Sequence, residues 1–159
     1  QQIGDVILLE RDKGALPAAP KNVDVSIRSM LLDDIHIVHE IDRRAFEVLW
    51  QHSPEMLELA LSKSSLATVA EIGQDIIGYQ ISTAKASSGH LARLAVLPEW
   101  QGKGVGYALI HQMISTFSLW GTLRFTVNTQ ADNYSSIALY QKVGFQKTET
   151  VYPVYMYSI

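Results

Sequence analysis

The sequence predicts an α/β protein with one mixed central sheet of about seven strands and helices on both faces of that sheet. Two observations predict this fold class. Short segments with the period of a strand alternate with longer segments with the period of a helix, in the order βααβββαβαββ. Glycine and proline residues separate these segments, as they do at turns and helix ends. The 159 residues suit one domain, and the β-α-β units of the second half require parallel pairing with right-handed crossovers.

The first 22 residues differ from the rest and are interpreted as an N-terminal extension and linker. Residues 6–9 are apolar enough for a short strand, whereas residues 14–20 are prolines and small residues, which neither extend a helix nor pair in a sheet. We therefore place the domain proper at residues 23–159. The extension could cover a sheet edge, contact a partner subunit or be partly disordered, and the sequence leaves these alternatives open.

The segments of the domain follow from periodicity and from capping residues. Those of the first half are a strand at 23–27, helices at 31–45 and 54–64, and hairpin strands at 66–72 and 76–85. Those of the second half are a strand at 90–97, a helix from 105, a strand at 123–128, a helix from 133, and strands at 146–151 and 154–157. Ser53 before Pro54 is typical of a helix start, Gly144 of a helix end, and Pro153 separates the two closing strands.

Composition excludes several classes of function. The chain has no cysteine, so it has neither disulfides nor a thiol nucleophile. Its net charge of −3 argues against nucleic acid as a partner and suits a cationic acceptor. No apolar run reaches the roughly 18 residues of a membrane span and no signal peptide opens the chain, so we expect a cytoplasmic protein. His36 and His39 lack a third ligand at a recognisable spacing, so no metal site is expected.

The most informative stretch is a glycine-rich loop, residues 101–106, between a strand and a helix. Gly102, Gly104 and Gly106 let the backbone approach an anion closely, and the first turn of a helix presents free N–H groups and partial positive charge. A dinucleotide-binding loop would need glycine at Tyr107, and a nucleotide-hydrolase loop needs a wider spacing followed by Gly-Lys-Ser/Thr. The remaining pattern is Gln/Arg-x-x-Gly-x-Gly/Ala, although a glycine-rich connection without a ligand stays open.

A second motif follows the loop and makes the assignment more specific. Residues 128–145 contain Asn133, Ala138, Leu139, Tyr140 and the pair Gly144-Phe145, with Ser136 or Ile137 at a variable position. Together the two motifs resemble the GNAT acetyltransferases, and the likeness in element order extends from residue 23 to the end. The sequence of the second motif is most similar to that of protein N-terminal acetyltransferases, which include the ribosomal-protein alanine acetyltransferases.

The resemblance implies roles for individual residues, with acetyl-CoA as co-substrate. The strand residues 94–96 would hold the pantetheine arm and polarise the thioester carbonyl, and residues 101–106 would bind the pyrophosphate. Asn133 would bond the cofactor arm, and Tyr140 would protonate the departing thiolate. The residues implied for cofactor binding are Leu94, Ala95, Val96, Gln101, Gly102, Lys103, Gly104, Val105, Gly106, Asn133, Ser136 and Tyr140. Tyr140 could instead be a packed aromatic, and Asn133 is also a suitable helix cap.

The general base is where the sequence departs from the family. Asn128 stands where N-terminal acetyltransferases commonly carry a glutamate, and an amide cannot accept a proton at neutral pH. His90 stands where histone-type relatives carry their glutamate, and an imidazole could act there, or a water near Asn128 could. Deprotonating a lysine costs roughly 4 kcal/mol at neutral pH, but an α-amine costs only about 1 kcal/mol. A weak base therefore suits an α-amine better.

We accordingly expect an acetyl-CoA-dependent N-acetyltransferase, monomeric or homodimeric, in which a primary amine attacks the thioester directly. The acceptor is expected between the first two helices (Phe46, Trp50) and the last hairpin (Tyr152, Tyr155). A small-molecule amine acetyltransferase would be favoured by carboxylates around that cleft. The candidates are Asp33, Asp34, Glu40 and Glu47. A non-catalytic acyl-CoA sensor is a further alternative.

Overall fold

The computed structural model describes residues 1–12, 14–21 and 24–158, and the strands among them form one seven-stranded sheet. The strands are β1 (Gln2–Asp12), β2 (Ser26–Ser29), β3 (Leu66–Ile72), β4 (Asp75–Lys85), β5 (Ser88–Val96), β6 (Arg124–Gln130) and β7 (Gln146–Tyr155). The helices are α1 (Ile35–Ala45), α2 (Pro54–Lys63), α3 (Val105–Leu119) and α4 (Tyr134–Lys142). The strand order is β2-β3-β4-β5-β6-β1-β7. The predicted mixed α/β sheet is confirmed.

The helices cover both faces of the sheet, as predicted. On one face, α3 and α4 bury Ile110, Phe117 and Tyr140 against β1, β5 and β6. On the other face, α1 and α2 bury Val38 and Leu57 against β3, β4 and β5. None of the described helices is long and apolar enough to cross a membrane.

The sheet opens between β5 and β6, its one parallel pair among the described strands. Pairing runs from Ser88↔Arg124 to Leu91↔Val127 and then stops. A bulge in β5 leaves Ala92 without a partner on β4 at this point. Because a bulge reverses the alternation of side chains, Leu91 packs towards α3 whereas Ala95 packs towards α1. Beyond Leu91 the β6-facing edge of β5 carries backbone groups with no strand partner.

The two ends of the chain differ from the predicted pattern. Residues 2–12 form a full strand inside the sheet, between β6 and β7, rather than a short strand over residues 6–9. The two predicted closing strands are one strand, β7, which continues through Pro153. Proline is tolerated there because β7 is an edge strand and pairs with β1 alone. The boundary of the domain at residue 22 stays a prediction, and Val23, the first residue of a predicted strand, lies outside the described residues.

Candidate active site

Three adjoining clefts open where β5 and β6 diverge, and Phe46 and Asn133 line all three. The first, here called the donor cleft, has a volume of about 220 Å³. Its walls are the open edge of β5, the glycine loop and the start of α4. Its lining includes Leu94, Ala95, Val96, Gln101, Gly102, Gly106, Asn133 and Ser136. Eight of the twelve residues that the resemblance implies for cofactor binding are therefore brought together here.

The glycine loop turns the chain from β5 into α3 through left-handed backbone. Gly102 has a φ of 75°, and Gly104 has a φ of 88° at the N-cap of α3. Only glycine adopts these angles at little cost. Gln101 donates a hydrogen bond from Nε2 to the Val96 carbonyl at 2.9 Å, which fixes the loop to the end of β5. The loop thus directs the free N–H groups of the first turn of α3 outward, as an anion site requires.

The third glycine of the loop packs closely against α4. A Cβ at Gly106 would lie 2.9 Å from Cδ2 of Leu139, closer than real side chains come. Glycine therefore lets the start of α3 approach α4. This contact links the two sequence motifs, because Leu139 belongs to the second one.

The second cleft, here called the junction cleft, lies at the point where β5 and β6 separate and has a volume of about 90 Å³. Asn128 and Tyr140 both line it, together with Arg93 and Asn133. Tyr140 is 5% exposed, and burial raises the pKa of its phenol, so the hydroxyl stays protonated at neutral pH. Among the described residues, none accepts a hydrogen bond from this hydroxyl. The arrangement leaves a proton donor facing the cleft.

Asn133 caps α4 and also lines all three clefts. Its side-chain oxygen accepts a hydrogen bond from the backbone N–H of Ser136 at 3.3 Å, so it caps α4. The cap uses the oxygen of the amide, and the Nδ2 group remains able to donate a hydrogen bond into a cleft. The two roles weighed from the sequence are therefore compatible.

His90 lies at a distance from this arrangement. Its Nδ1 is 2.8 Å from Oγ1 of Thr126, on the paired part of β5 and β6. The described residues that line the three clefts begin at Leu91 on β5 and do not include His90. Burial lowers the pKa of His90 despite an opposing hydrogen bond with Thr126. The imidazole is therefore neutral at pH 7, but it reaches the junction cleft only through an intervening group.

The third cleft, here called the acceptor cleft, has a volume of about 380 Å³. Phe46 and Trp50 line it as expected, whereas Tyr152 and Tyr155 lie about half exposed on β7 and are not in its lining. The described residues of its wall carry three carboxylates, on Asp5, Glu47 and Asp132.

Only one of these carboxylates, that of Glu47, was a candidate from the sequence. The other candidates, Asp33, Asp34 and Glu40, do not line this cleft: Asp34 pairs with Arg28, and Glu40 pairs with Arg43. The sequence analysis missed Asp5 because β1 was placed outside the domain.

A buried ion pair holds the loop that lines the acceptor cleft. Asp42 is fully buried on α1, and its Oδ2 accepts a hydrogen bond from Nε of Arg93 at 2.7 Å. The same oxygen accepts a bond from the hydroxyl of Tyr79 at 2.6 Å. Despite its burial, the pKa of Asp42 is lowered, because the bonds from Arg93 and Tyr79 favour the charged form. The buried negative charge of Asp42 is therefore balanced by the guanidinium of Arg93 and is hydrogen-bonded.

Arg93 also contacts two residues of the wall of the acceptor cleft. Its guanidinium lies 3.9 Å from the ring centroid of Phe46, and Nη2 donates to the Trp50 carbonyl at 2.7 Å. Both residues line the acceptor cleft. The sequence analysis missed this network, although an acid beside the apolar stripe of α1 and an arginine within an apolar strand were visible signals.

The fold and the clefts together describe a class of protein: an α/β protein with a glycine-rich loop at the open edge of its sheet and a second cleft beside that loop. The family model described as Acetyltransferase (GNAT) family matches residues 35–145. The chain belongs to this family and is an acyltransferase, as its sequence motifs predicted.

Similar proteins agree with this assignment. A protein of Bacillus subtilis (strain 168), named "Putative ribosomal protein bS18-alanine N-acetyltransferase", is 24% identical over 121 residues, which cover 76% of this chain and 80% of that protein. The structure of the PaiA N-acetyltransferase from Thermoplasma acidophilum in complex with coenzyme A has a TM-score of 0.74 at 20% identity, covering 80% of this chain and 93% of that one. The GCN5-related N-acetyltransferase from Sphaerobacter thermophilus has a TM-score of 0.77 at 17% identity. That match covers 96% of this chain and spans about half, 51%, of the other. At these identities, the two structures share the fold.

Proposed function

We propose that this protein transfers an acetyl group from acetyl-CoA to a primary amine by direct attack within a ternary complex, and that the acceptor is the N-terminal α-amine of a peptide or protein. The observation that carries the proposal is the meeting of the donor and acceptor clefts at the junction cleft, where Tyr140 and Asn128 lie. Two substrates bound in these clefts would place their reacting atoms side by side. Positioning of this kind supplies much of the rate of a group transfer.

Residues of the donor cleft fit the chemistry of coenzyme A. The glycine loop and the first turn of α3 would hold the pyrophosphate, and Asn133 and Ser136 would bond the pantetheine arm. The unpartnered edge of β5 at residues 94–96 would donate backbone hydrogen bonds to the thioester oxygen, where negative charge develops during attack. These groups lie on β5, on the loop that follows it and at the starts of α3 and α4, all of which line the donor cleft.

The proton transfers follow from the groups at the junction. Tyr140 would donate its proton to the departing thiolate, and its raised pKa keeps it protonated until the thiolate forms. Asn128 would hold a water that passes a proton from the acceptor's ammonium group to solvent or to the more distant His90, and the neutral amine that remains would attack the thioester. An α-amine requires little help, because its deprotonation costs about 1 kcal/mol at neutral pH.

The acceptor class is supported by the charge of the acceptor cleft and by the Bacillus subtilis relative, whose name describes a ribosomal protein bS18-alanine N-acetyltransferase. Asp5, Glu47 and Asp132 would attract a cation. The same three carboxylates favour a second candidate, a small polyamine, which carries several charges and would contact more than one of them.

A thiol-release assay separates the two candidates. Native enzyme with acetyl-CoA would be given peptides with a free N-terminus, the same peptides with a blocked N-terminus and a free lysine, and a set of polyamines. We expect turnover on free N-termini and none on the blocked peptides. Turnover confined to polyamines would transfer the assignment to the second candidate, and coenzyme A binding without turnover on any amine would indicate a sensor.

A further inference from the structure

A cleft with positively charged residues adjoins the outer side of the glycine loop. This lysine cleft, defined by Lys21, Lys103 and Lys142, has a volume of about 690 Å³ and is also lined by Gly102 and Gly104. A smaller cleft of about 240 Å³ continues from it, and Lys21, Lys142 and Gly104 line both. The chain as a whole carries a net charge of −3, so three lysines beside one loop are a local reversal of its charge.

Two cation–π contacts and one hydrogen bond hold the residues of this cleft in place. Nζ of Lys142 lies 5.4 Å from the ring centroid of Tyr107, and Nζ of Lys103 lies 4.9 Å from that of Trp100. The hydroxyl of Tyr107 donates to the carbonyl of Ala18 at 2.6 Å, which ties the segment before Lys21 to the first turn of α3.

The lysine charges are also available to a ligand. Within the described part of the chain, none of the three lysines forms an ion pair, and Asp24 is the single acidic residue in the described lining. The site therefore presents an excess of positive charge to whatever occupies the cleft.

We propose that Lys21 and Lys142 bind the ribose 3′-phosphate of coenzyme A, so that the segment after β1 forms part of the donor site. This inference rests on the proposed function. Coenzyme A carries two anionic groups, a pyrophosphate and a phosphate monoester on the adjoining ribose. The pantetheine arm and the ribose leave the pyrophosphate in opposite directions. With the pyrophosphate on the loop and the arm in the donor cleft, the ribose and its monoester would lie on the outer side of the loop, where two ammonium groups would neutralise the dianion. Lys21 lies outside residues 35–145, which the family model matches, whereas Lys142 lies inside them.

The test is a comparison of two ligands that differ in this phosphate alone. Calorimetric titration of the native chain with coenzyme A and with 3′-dephospho-coenzyme A gives a ratio of dissociation constants. We expect native protein to bind coenzyme A about tenfold more tightly, and we expect the ratio to shrink at higher salt because both lysines are exposed. In Lys21→Ala and Lys142→Ala the ratio should fall by roughly two- to fivefold each, and in the double variant it should approach one.

Lys147→Ala is the matched control, because Lys147 is an exposed lysine on β7 outside the described clefts, and it should keep the native ratio. Equal affinity of the native chain for the two ligands would overturn the inference while leaving the proposed function intact. A native preference that persists in the double variant would assign the phosphate to other residues and would also overturn it. A native chain that binds neither ligand would contradict the proposed function itself.

Discussion

The donor and acceptor sides of this enzyme are built in different ways. The donor cleft takes most of its described lining from two short stretches, residues 94–106 and 133–139. The acceptor cleft takes its lining from β1, from the loop after α1 and from the end of β6. Its loop is held by Asp42 and Arg93, which lie 51 residues apart. A site built from one or two short stretches of sequence can be recognised as a motif. A site built from residues far apart in the sequence leaves no such local pattern.

The sharpest test of this comparison is at the junction, where both sides converge on Tyr140. Tyr140→Phe removes the proton donor and keeps the packed ring, so kcat should fall roughly a hundredfold to ten-thousandfold with KM for acetyl-CoA nearly unchanged. Steady-state kinetics measure both constants. Tyr134→Phe is the control, because Tyr134 lies on the same helix and is 77% exposed. An unchanged kcat in Tyr140→Phe would reduce this residue to a packed aromatic.

Removing the buried carboxylate of Asp42 should destabilise the protein at the acceptor cleft. Asp42→Ala leaves the Arg93 guanidinium without its partner, and the loss of such a partner costs about 3–5 kcal/mol of unfolding free energy. Tyr79→Phe, which removes a single hydrogen bond from the same carboxylate, should cost about 1 kcal/mol. Urea denaturation measures both. An equal loss of unfolding free energy in the two variants would mean that the Asp42–Arg93 ion pair does not stabilise the loop.

A conservative substitution of Arg93 should affect binding of the amine but not binding of acetyl-CoA. Arg93→Lys keeps the positive charge but loses the planar fork that contacts Asp42, Phe46 and Trp50 together. We expect KM for the amine to rise about tenfold, the effect of about 1.4 kcal/mol, while KM for acetyl-CoA stays within twofold. If both KM values rise together, the two clefts are mechanically coupled and the comparison fails.

The smallest expected effect is a dependence of stability on pH. Burial lowers the pKa of both His90 and His52, so the unfolded chain binds more protons than the folded chain below the ordinary histidine pKa of about 6.5. Stability should therefore be complete above that pH and should decline as the pH falls towards 5, by at most about 1.4 kcal/mol per pH unit for each histidine. Thermal melts of His90→Gln should show a shallower decline. A parallel decline would exclude His90 as a source.

Particular residues show how far sequence analysis reached. The glycine loop, Asn133 and Tyr140 were predictable because each lies in a local pattern whose backbone conformation or capping role is encoded nearby. The insertion of β1 between β6 and β7 was not, since it depends on pairings such as Leu9↔Val127 across more than a hundred residues. The same holds for Lys21 and Asp5, whose positions near the clefts follow from that strand. The single closing strand was missed because Pro153 breaks a central strand but not an edge strand.

The central claim is that the glycine loop is the coenzyme A site, and thermal melting with and without coenzyme A tests it most directly. Gly104→Asp places a side chain and a negative charge at a φ of 88° in the loop, and Gly121→Asp places the same side chain at a φ of 92° in a turn after α3. Both substitutions carry a similar backbone cost of about 1–2 kcal/mol. We expect coenzyme A to raise the Tm of the native chain and of Gly121→Asp, and to leave that of Gly104→Asp unchanged. Full stabilisation of Gly104→Asp by coenzyme A would contradict the assignment of the loop as the coenzyme A site.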